Sequence, residues 1–228
     1  MLHLPAGQLL DSWDSVRGEA MPVRAAALAS LAGDVSLNEV MRWSIARRDL
    51  ALFELRAQVF GDSLDAVVRC PSCDEQLEME FALSRIRPVE GVPPEADRTE
   101  VLVGDRPVAC RLPNTEDLIA ASACGDVAAA RNALLTRCIG VEDLEMREQA
   151  AALLVSPADV QLNLTCPSCS HEWRTPFDIA SFVWRELDEW AQRTLHDIHA
   201  IASAYGWTEE QILQLSARRR QTYVEMIR

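Results

Sequence analysis

The first sixty residues carry apolar side chains at helical spacing. A first helix is predicted on the positions Leu9, Leu10, Trp13 and Val16, with Gly18 as its stop. The Ala-rich stretch 22–31 predicts a second helix. Ser36, followed three residues later by Glu39, matches a capping box and predicts a third helix that continues to Gly61. Residues 1–62 are therefore predicted to form a helical N-terminal region.

The apolar period changes from helical to alternating after Asp62. Alternation on both sides of a Cys-Pro-Ser-Cys loop at 70–73 predicts a β-hairpin with this loop at its tip, over residues 63–87. The alternating positions are Leu64, Ala66, Val68, Leu77, Met79 and Phe81.

The same four residues, Cys-Pro-Ser-Cys, occur again at 166–169. The surrounding segment aligns with the first copy without gaps at an offset of 96 residues. Matching apolar positions are Val68 with Leu164, Leu77 with Trp173, and Phe81 with Phe177. Identical loops in matching surroundings indicate an internal repeat, so a second hairpin is predicted over residues 158–178.

Residues 88–157 are predicted to be an α+β unit inserted between the two hairpins. A Pro- and Gly-containing linker occupies 88–96, and strands at 100–103 and 107–112 are joined by the turn Gly104-Asp105. Helices are expected after Asn114 and after Asp126, and a third ends near Leu154, before Ser156-Pro157. The predicted fold class is therefore α+β.

Residues 179–228 return to a helical pattern. A long apolar stripe ends at Gly206, Thr208 with Gln211 matches a second capping box, and Ser216 can cap a final helix. The segment is predicted to be helical throughout.

The two Cys-Pro-Ser-Cys loops predict one metal centre. Cys70, Cys73, Cys166 and Cys169 supply four thiolates, the ligand set of a closed tetrahedral site that holds one structural Zn²⁺. The 92 residues between Cys73 and Cys166 exceed the usual ribbon gap about fivefold, which adds only about 1.4 kcal/mol of closure entropy. Structural zinc contributes roughly 10–16 kcal/mol. A redox dithiol is the alternative, but it requires a thiolate at a helix N-terminus and not a hairpin tip.

Composition narrows the function classes. The net charge is -13, and every basic residue is Arg, because the chain has no Lys. Such a surface is poorly suited to phosphate, so no nucleic-acid partner is expected. The sequence carries no apolar run of about 18 residues and no signal peptide, so a cytoplasmic protein without membrane insertion is expected. Neither a catalytic constellation nor a phosphate loop is present, so we expect neither an enzyme nor a small-molecule substrate.

The last twenty-two residues are distinctive for their aromatic and basic side chains. One interpretation is a helical hairpin that caps the core, and the other is a docking segment that binds a partner protein. Residue types common at interface anchors support the second interpretation. The candidate partner-binding residues are Trp207, Ile212, Leu215, Arg218, Arg219, Tyr223 and Ile227.

The order of these motifs resembles a known family. The opening Leu-Pro-Ala-Gly-Gln-Leu-Leu at 4–10, the two Cys-Pro-Ser-Cys knuckles, Phe-Val-Trp-Arg-Glu-Leu at 182–187 and the C-terminal run resemble the T-even-type phage baseplate hub assembly chaperone family. The similarity is to its zinc-knuckle form from bacterial extracellular contractile injection systems. It covers most of the chain and is loosest over 90–157.

The resemblance implies a non-enzymatic protein that helps to build the baseplate hub or forms part of it. Its partners would be hub, spike or inner-baseplate subunits, and it would act in the cytoplasm or within the assembled particle. The alternative is a zinc-ribbon nucleic-acid-binding or transcription-associated regulator, which needs a basic, aromatic face.

Overall fold

The computed structural model describes residues 4–33, 35–86, 97–154 and 159–227. Within these ranges the chain combines helices with three separate two-stranded antiparallel sheets, which confirms the α+β class. The predicted linker at 88–96 and the predicted helix stop at Ser156-Pro157 lie outside the described residues.

The N-terminal region is helical, as predicted. It consists of α1 (Ala6–Val16), α2 (Met21–Gly33), α3 (Leu37–Val40) and α4 (Ile45–Phe60). The predicted third helix is interrupted, however. The Ser36 hydroxyl accepts a hydrogen bond from the backbone N–H of Glu39, but the helix ends at Val40, and Ser44 then caps α4 by accepting from the N–H of Arg47. A second serine cap within the run competes with helix continuation, so the prediction of one unbroken helix is wrong.

Two of the sheets are the predicted hairpins. The first pairs β1 (Ser63–Arg69) with β2 (Gln76–Ala82), and short α5 (Leu83–Ile86) follows it. In register, Leu64 lies opposite Phe81 and Val68 opposite Leu77, so the alternating apolar residues share one face. The second hairpin pairs β5 (Gln161–Thr165) with β6 (Glu172–Pro176).

The segment between the hairpins forms the third sheet and three helices. Strands β3 (Arg98–Val103) and β4 (Arg106–Arg111) turn at Gly104, whose φ of 61° is the left-handed conformation that favours glycine. Helices α6 (Thr115–Ser122), α7 (Val127–Cys138) and α8 (Leu144–Leu153) follow. A small apolar cluster separate from the main core holds this unit together. Its buried members are Val103, Val108, Cys110, Leu135, Cys138, Ile139 and Ala150.

The C-terminal helices belong to the main core. They are α9 (Ile179–Tyr205), α10 (Glu209–Leu213) and α11 (Ala217–Ile227), and Gly206 ends α9 in the left-handed conformation. Ile201, Ile212 and Val224 join residues of α1, α2 and α4 in one buried cluster. The described C-terminal segment, 179–227, is therefore integrated with the N-terminal region.

The bases of the two hairpins meet against this core. Phe177 lies 6.3 Å from Phe81, 6.1 Å from Phe53 and 5.5 Å from Phe182, measured between ring centroids. Phe53 belongs to α4 and Phe182 to α9, the two helices that lead into and out of the hairpins. The hairpins are thus fixed at their bases by apolar packing.

None of the helices in the described ranges has both the length and the apolar composition required to cross a bilayer.

Candidate metal centre and partner-binding surface

The two Cys-Pro-Ser-Cys loops have the same backbone geometry. In the first, the N–H of Cys70 donates to the carbonyl of Glu75 at 2.9 Å, and the N–H of Asp74 donates to the carbonyl of Cys70 at 2.9 Å. In the second, Cys166 donates to His171 and Ser170 donates to Cys166, also at 2.9 Å. Asp74 and Ser170 have φ values of 58° and 59°. The internal repeat therefore extends to individual hydrogen bonds and to one left-handed residue in each tip.

The structure brings the four predicted ligand residues together. The Sγ atoms of Cys70, Cys73, Cys166 and Cys169 all lie within 4.8 Å of one another. Two contacts between the hairpins are shorter, Cys70 to Cys169 and Cys73 to Cys166, each 3.6 Å between sulfur atoms. Tetrahedral coordination at about 2.3 Å per Zn–S bond places the sulfurs about 3.8 Å apart. The cluster thus has nearly the size of a four-thiolate metal site, and its residues could hold a metal ion.

The two cysteines of each loop differ in their exposure to solvent. Cys70 and Cys166, the first cysteine of each loop, are buried, whereas Cys73 and Cys169 are exposed. Each loop therefore contributes one inner and one outer ligand. An ion here would lie at the surface end of the hairpins, with its inner side covered by protein.

The ionisation of the cluster shows why it suits a cation. Burial raises the pKa of Cys166, but N–H groups of Cys169 and Ser168 and the neighbouring thiols outweigh this and lower the pKa to about 7. A backbone hydrogen bond at Glu75 lowers the pKa of Cys73, yet hydrogen bonding with Cys169, Cys166 and Cys70 raises it to about 12. A divalent ion supplies the positive charge that allows all four to ionise.

The remaining cysteines lie elsewhere. Cys110 and Cys138 are buried in the core of the inserted unit, and burial raises the pKa of both thiols, that of Cys138 to about 11. Cys124 is half-buried at the end of α6 and contacts the carbonyl of Ala120. The three behave as small apolar residues and contribute nothing to the centre.

The predicted partner-binding residues fall into three settings. Ile212 is 0 % exposed and packs in the main core, so it cannot touch a partner in this conformation. Leu215 lines a groove beside α1. Arg218, Arg219 and Ile227 are exposed on α11, and Trp207 and Tyr223 are half-buried. The burial of Ile212 agrees with the interpretation of the segment as a cap on the core.

Three aromatic rings form an exposed corner where α9 gives way to α10. Tyr205, Trp207 and Tyr223 contact one another with centroid separations of 5.3, 5.7 and 5.0 Å. Tyr205 is 41 % exposed, and the nearby end of α11 exposes Met226 and Ile227. Sequence reasoning omitted Tyr205 and Met226, although both lie within the run that drew attention to Trp207. We call Tyr205, Trp207 and Tyr223 the aromatic corner.

The chain was compared with protein-family models, with curated proteins and with solved structures. No protein-family model matches the chain, and no curated protein or solved structure matches it either.

Proposed function

We propose that this protein is a non-enzymatic, zinc-stabilised component or assembly chaperone of the baseplate hub of a contractile, phage tail-like injection system. The observation that carries the non-enzymatic part is the closed set of four thiols at Cys70, Cys73, Cys166 and Cys169. Four protein ligands leave no coordination position for water or substrate, so the ion stabilises the fold. The baseplate role rests on the sequence resemblance.

Zinc fits the ligand set best. Thiolate-only tetrahedral sites select zinc or iron, and zinc needs no redox partner. The ring contacts of Phe177 with Phe81 and Phe182 already hold the bases of the two hairpins together. Less conformational entropy is therefore lost when the hairpin tips meet around a metal ion, which favours binding by all four cysteines.

Metal analysis tests this part directly. Protein purified without added metal is expected to contain one zinc per chain by inductively coupled plasma mass spectrometry. Simultaneous Cys70→Ser and Cys166→Ser is expected to reduce the content to background, and Cys124→Ser serves as the control. Iron with visible charge-transfer absorption would contradict zinc, and wild-type protein free of metal would contradict a metal centre.

The aromatic corner is the proposed contact with hub, spike or inner-baseplate subunits. Aromatic and Arg side chains are enriched at interface anchors, and Arg218 and Arg219 are exposed on the same helix as Tyr223 and Ile227. Trp207 and Tyr223 would bury apolar area, with the exposed Arg side chains at the rim.

A zinc-ribbon regulator of nucleic acids is disfavoured by the charge of the hairpins. Their outward strand positions carry four carboxylates and two guanidinium groups. These groups are Asp65, Glu78, Glu80 and Glu172, against Arg69 and Arg174. An acidic face repels phosphate and releases no counterions on contact.

Affinity capture from the native cell tests the biological role. Tagged protein is expected to enrich hub, spike or inner-baseplate subunits, and Trp207→Ala with Tyr223→Ala should reduce that enrichment severalfold. His199→Ala, an exposed change on α9 outside the corner, is the control. Detection in purified particles would identify a structural part, and absence from them a chaperone that leaves. Enrichment of polymerase or ribosome would overturn the proposal.

A further inference from the structure

A large groove lies on the surface beside α1 and the C-terminal helices. It has a volume of about 1240 Å³ and is bordered by the start of α1, the end of α4, Trp190 of α9, the first two residues of α10, and residues 213–217. We call it the α1–α10 groove. Its apolar lining is formed by Leu4, Pro5, Ala6, Leu9, Val59, Trp190, Leu213 and Leu215.

The size of this groove exceeds that of a small-molecule site. Ligand pockets commonly enclose roughly 300–1,000 Å³. A helix about 11 Å wide that rises 1.5 Å per residue occupies about 140 Å³ per residue, so the groove volume corresponds to about nine residues of helix. The groove volume is therefore comparable to that of a short amphipathic helix, whose apolar side would contact the Leu and Trp lining.

The charges of the groove specify the character of the occupant. Asp11, Glu209 and Glu210 lie on its lining and are exposed, so the rim is acidic. Arg220 is the one basic residue on the lining that the structure describes, and it is only 5 % exposed. Its Nη1 donates to the carbonyl of Leu215 at 2.9 Å, but its buried Nε–H has no hydrogen-bond partner among the described residues. The accessible charge of the groove is therefore negative, which favours an occupant with basic side chains.

We infer that the α1–α10 groove binds an amphipathic helix of a partner protein. The apolar face of that helix packs on Leu213, Leu215 and Trp190, and its Arg or Lys residues face the acidic rim. A second copy of this chain is a poor occupant, because two molecules of charge -13 repel each other. The groove includes none of the aromatic corner, so this inference is independent of the contact proposed above.

A displayed peptide library tests the inference even while the partner is unidentified. Helix-forming 14-residue peptides with randomised side chains are sorted on yeast against the full-length protein. The enriched peptides are expected to combine apolar residues at i, i+3, i+4 and i+7 with Arg or Lys on the flanks. No enrichment, or enrichment of acidic flanks, would overturn the inference.

Matched variants then locate the binding. Gln214→Trp places a bulky ring in the groove and is expected to weaken the best peptide at least tenfold by fluorescence anisotropy. Gln221→Trp, an exposed change on α11 outside the groove lining, should leave affinity unchanged. Equal affinity of Gln214→Trp and wild type would refute binding at this groove. Self-association of the free protein that Gln214→Trp abolishes would assign the groove to a second copy and also refute it.

Neutralising the rim tests the charge argument. Asp11→Asn, Glu209→Gln and Glu210→Gln together are expected to weaken the peptide about tenfold at low salt, and this difference should shrink as ionic strength rises. The control neutralises three exposed carboxylates elsewhere, Glu78, Glu100 and Glu142, each to Gln. Equal effects of the two triple variants would show that net charge, and not the rim, attracts the peptide.

Discussion

Asp117 is the most heavily engaged carboxylate that the structure describes. It is completely buried and accepts hydrogen bonds from both terminal nitrogens of Arg111, from Nε of Arg137 and from the backbone N–H of Asn114. Burial raises its pKa, but the bonds from Arg111, Asn114 and Arg137 outweigh this and hold the pKa well below its usual range. One side chain thereby joins β4, α6 and α7 within the inserted unit.

Replacing Asp117 by Asn should destabilise the protein by about 2–3 kcal/mol near neutral pH, because Arg111 and Arg137 lose their shared counterion. Both guanidinium groups are partly solvated, which limits the loss. Because the folded-state pKa of Asp117 is depressed, its contribution is complete above the ordinary Asp pKa, about 3.9, and is lost as the pH falls below that value. Urea unfolding from pH 7 to pH 2 should therefore show the wild-type advantage over Asp117→Asn shrinking below about pH 4. An advantage that stays constant with pH would exclude this ion pairing as its source.

The inner cysteines offer a second test at this scale. Cys70→Ser with Cys166→Ser removes the two buried ligands, and the hairpin tips should then separate and become protease-sensitive. Limited proteolysis should produce new cuts near residues 70–75 and 166–171. Cys124→Ser, outside the cluster, should give the wild-type pattern. Unchanged proteolysis of the double variant would refute a structural role for the centre.

At the scale of elements, α4 and α9 form a support for the hairpins. The guanidinium group of Arg56 pairs with both carboxylate oxygens of Glu186, at 3.0 and 2.9 Å, and also donates to the carbonyl of Gly61 at 2.5 Å. Gly61 lies two residues before the first strand of the first hairpin, which begins at Ser63. The Arg56–Glu186 ion pair and the ring contacts of Phe177 hold the bases of the hairpins in place. The four cysteines lie together at the tips.

Glu186→Gln should cost about 2–4 kcal/mol of unfolding free energy, because the buried Arg56 keeps its charge and loses its partner. Chemical denaturation measures the loss. The control is Glu189→Gln, which breaks an exposed pair with Arg193 one turn away and should change stability by less than about 0.5 kcal/mol. An equal loss of unfolding free energy in both variants would show that the Arg56–Glu186 pair stabilises the fold no more than a surface ion pair does.

The elements that sequence reasoning predicted correctly are those with a local signal. Alternation identified both hairpins, and caps at Asn114, Asp126, Thr208 and Ser216 identified helix starts that the structure confirms. The four thiols were predictable as a cluster because the repeat pairs identical loops. What covers an apolar face was not predictable: the sequence left open whether the C-terminal helices cap the core or bind a partner, and tertiary packing buries Ile212. The α1–α10 groove likewise depends on how distant helices meet.

In the whole molecule, the contacts between the two hairpins are reciprocal. Cys70 lies 3.6 Å from Cys169, and its repeat counterpart Cys166 lies 3.6 Å from Cys73. Phe81 and Phe177 are counterparts of each other and touch edge to face. In a two-fold arrangement, each contact between the halves occurs twice, with the roles of the two halves exchanged. The repeat therefore behaves as an isologous pair within one chain.

Removal of the proposed zinc ion should loosen this pair while leaving the helical core folded. Hydrogen exchange with mass spectrometry, with and without a zinc chelator, should show protection lost over 63–82 and 161–176. Protection in α2 and α9 should persist, because their packing is independent of the metal. Loss of protection throughout the chain would mean that the centre supports the entire fold.

The offset of 96 residues between the two halves of the centre also sets a delay during synthesis. At about 5–20 residues per second, roughly 5–20 s pass between the emergence of the first cysteine pair and that of the second. In that interval the first tip is an open dithiol, free to oxidise or to bind metal from another chain. Correct closure of the centre therefore depends on conditions that keep a nascent chain reduced and apart from its neighbours.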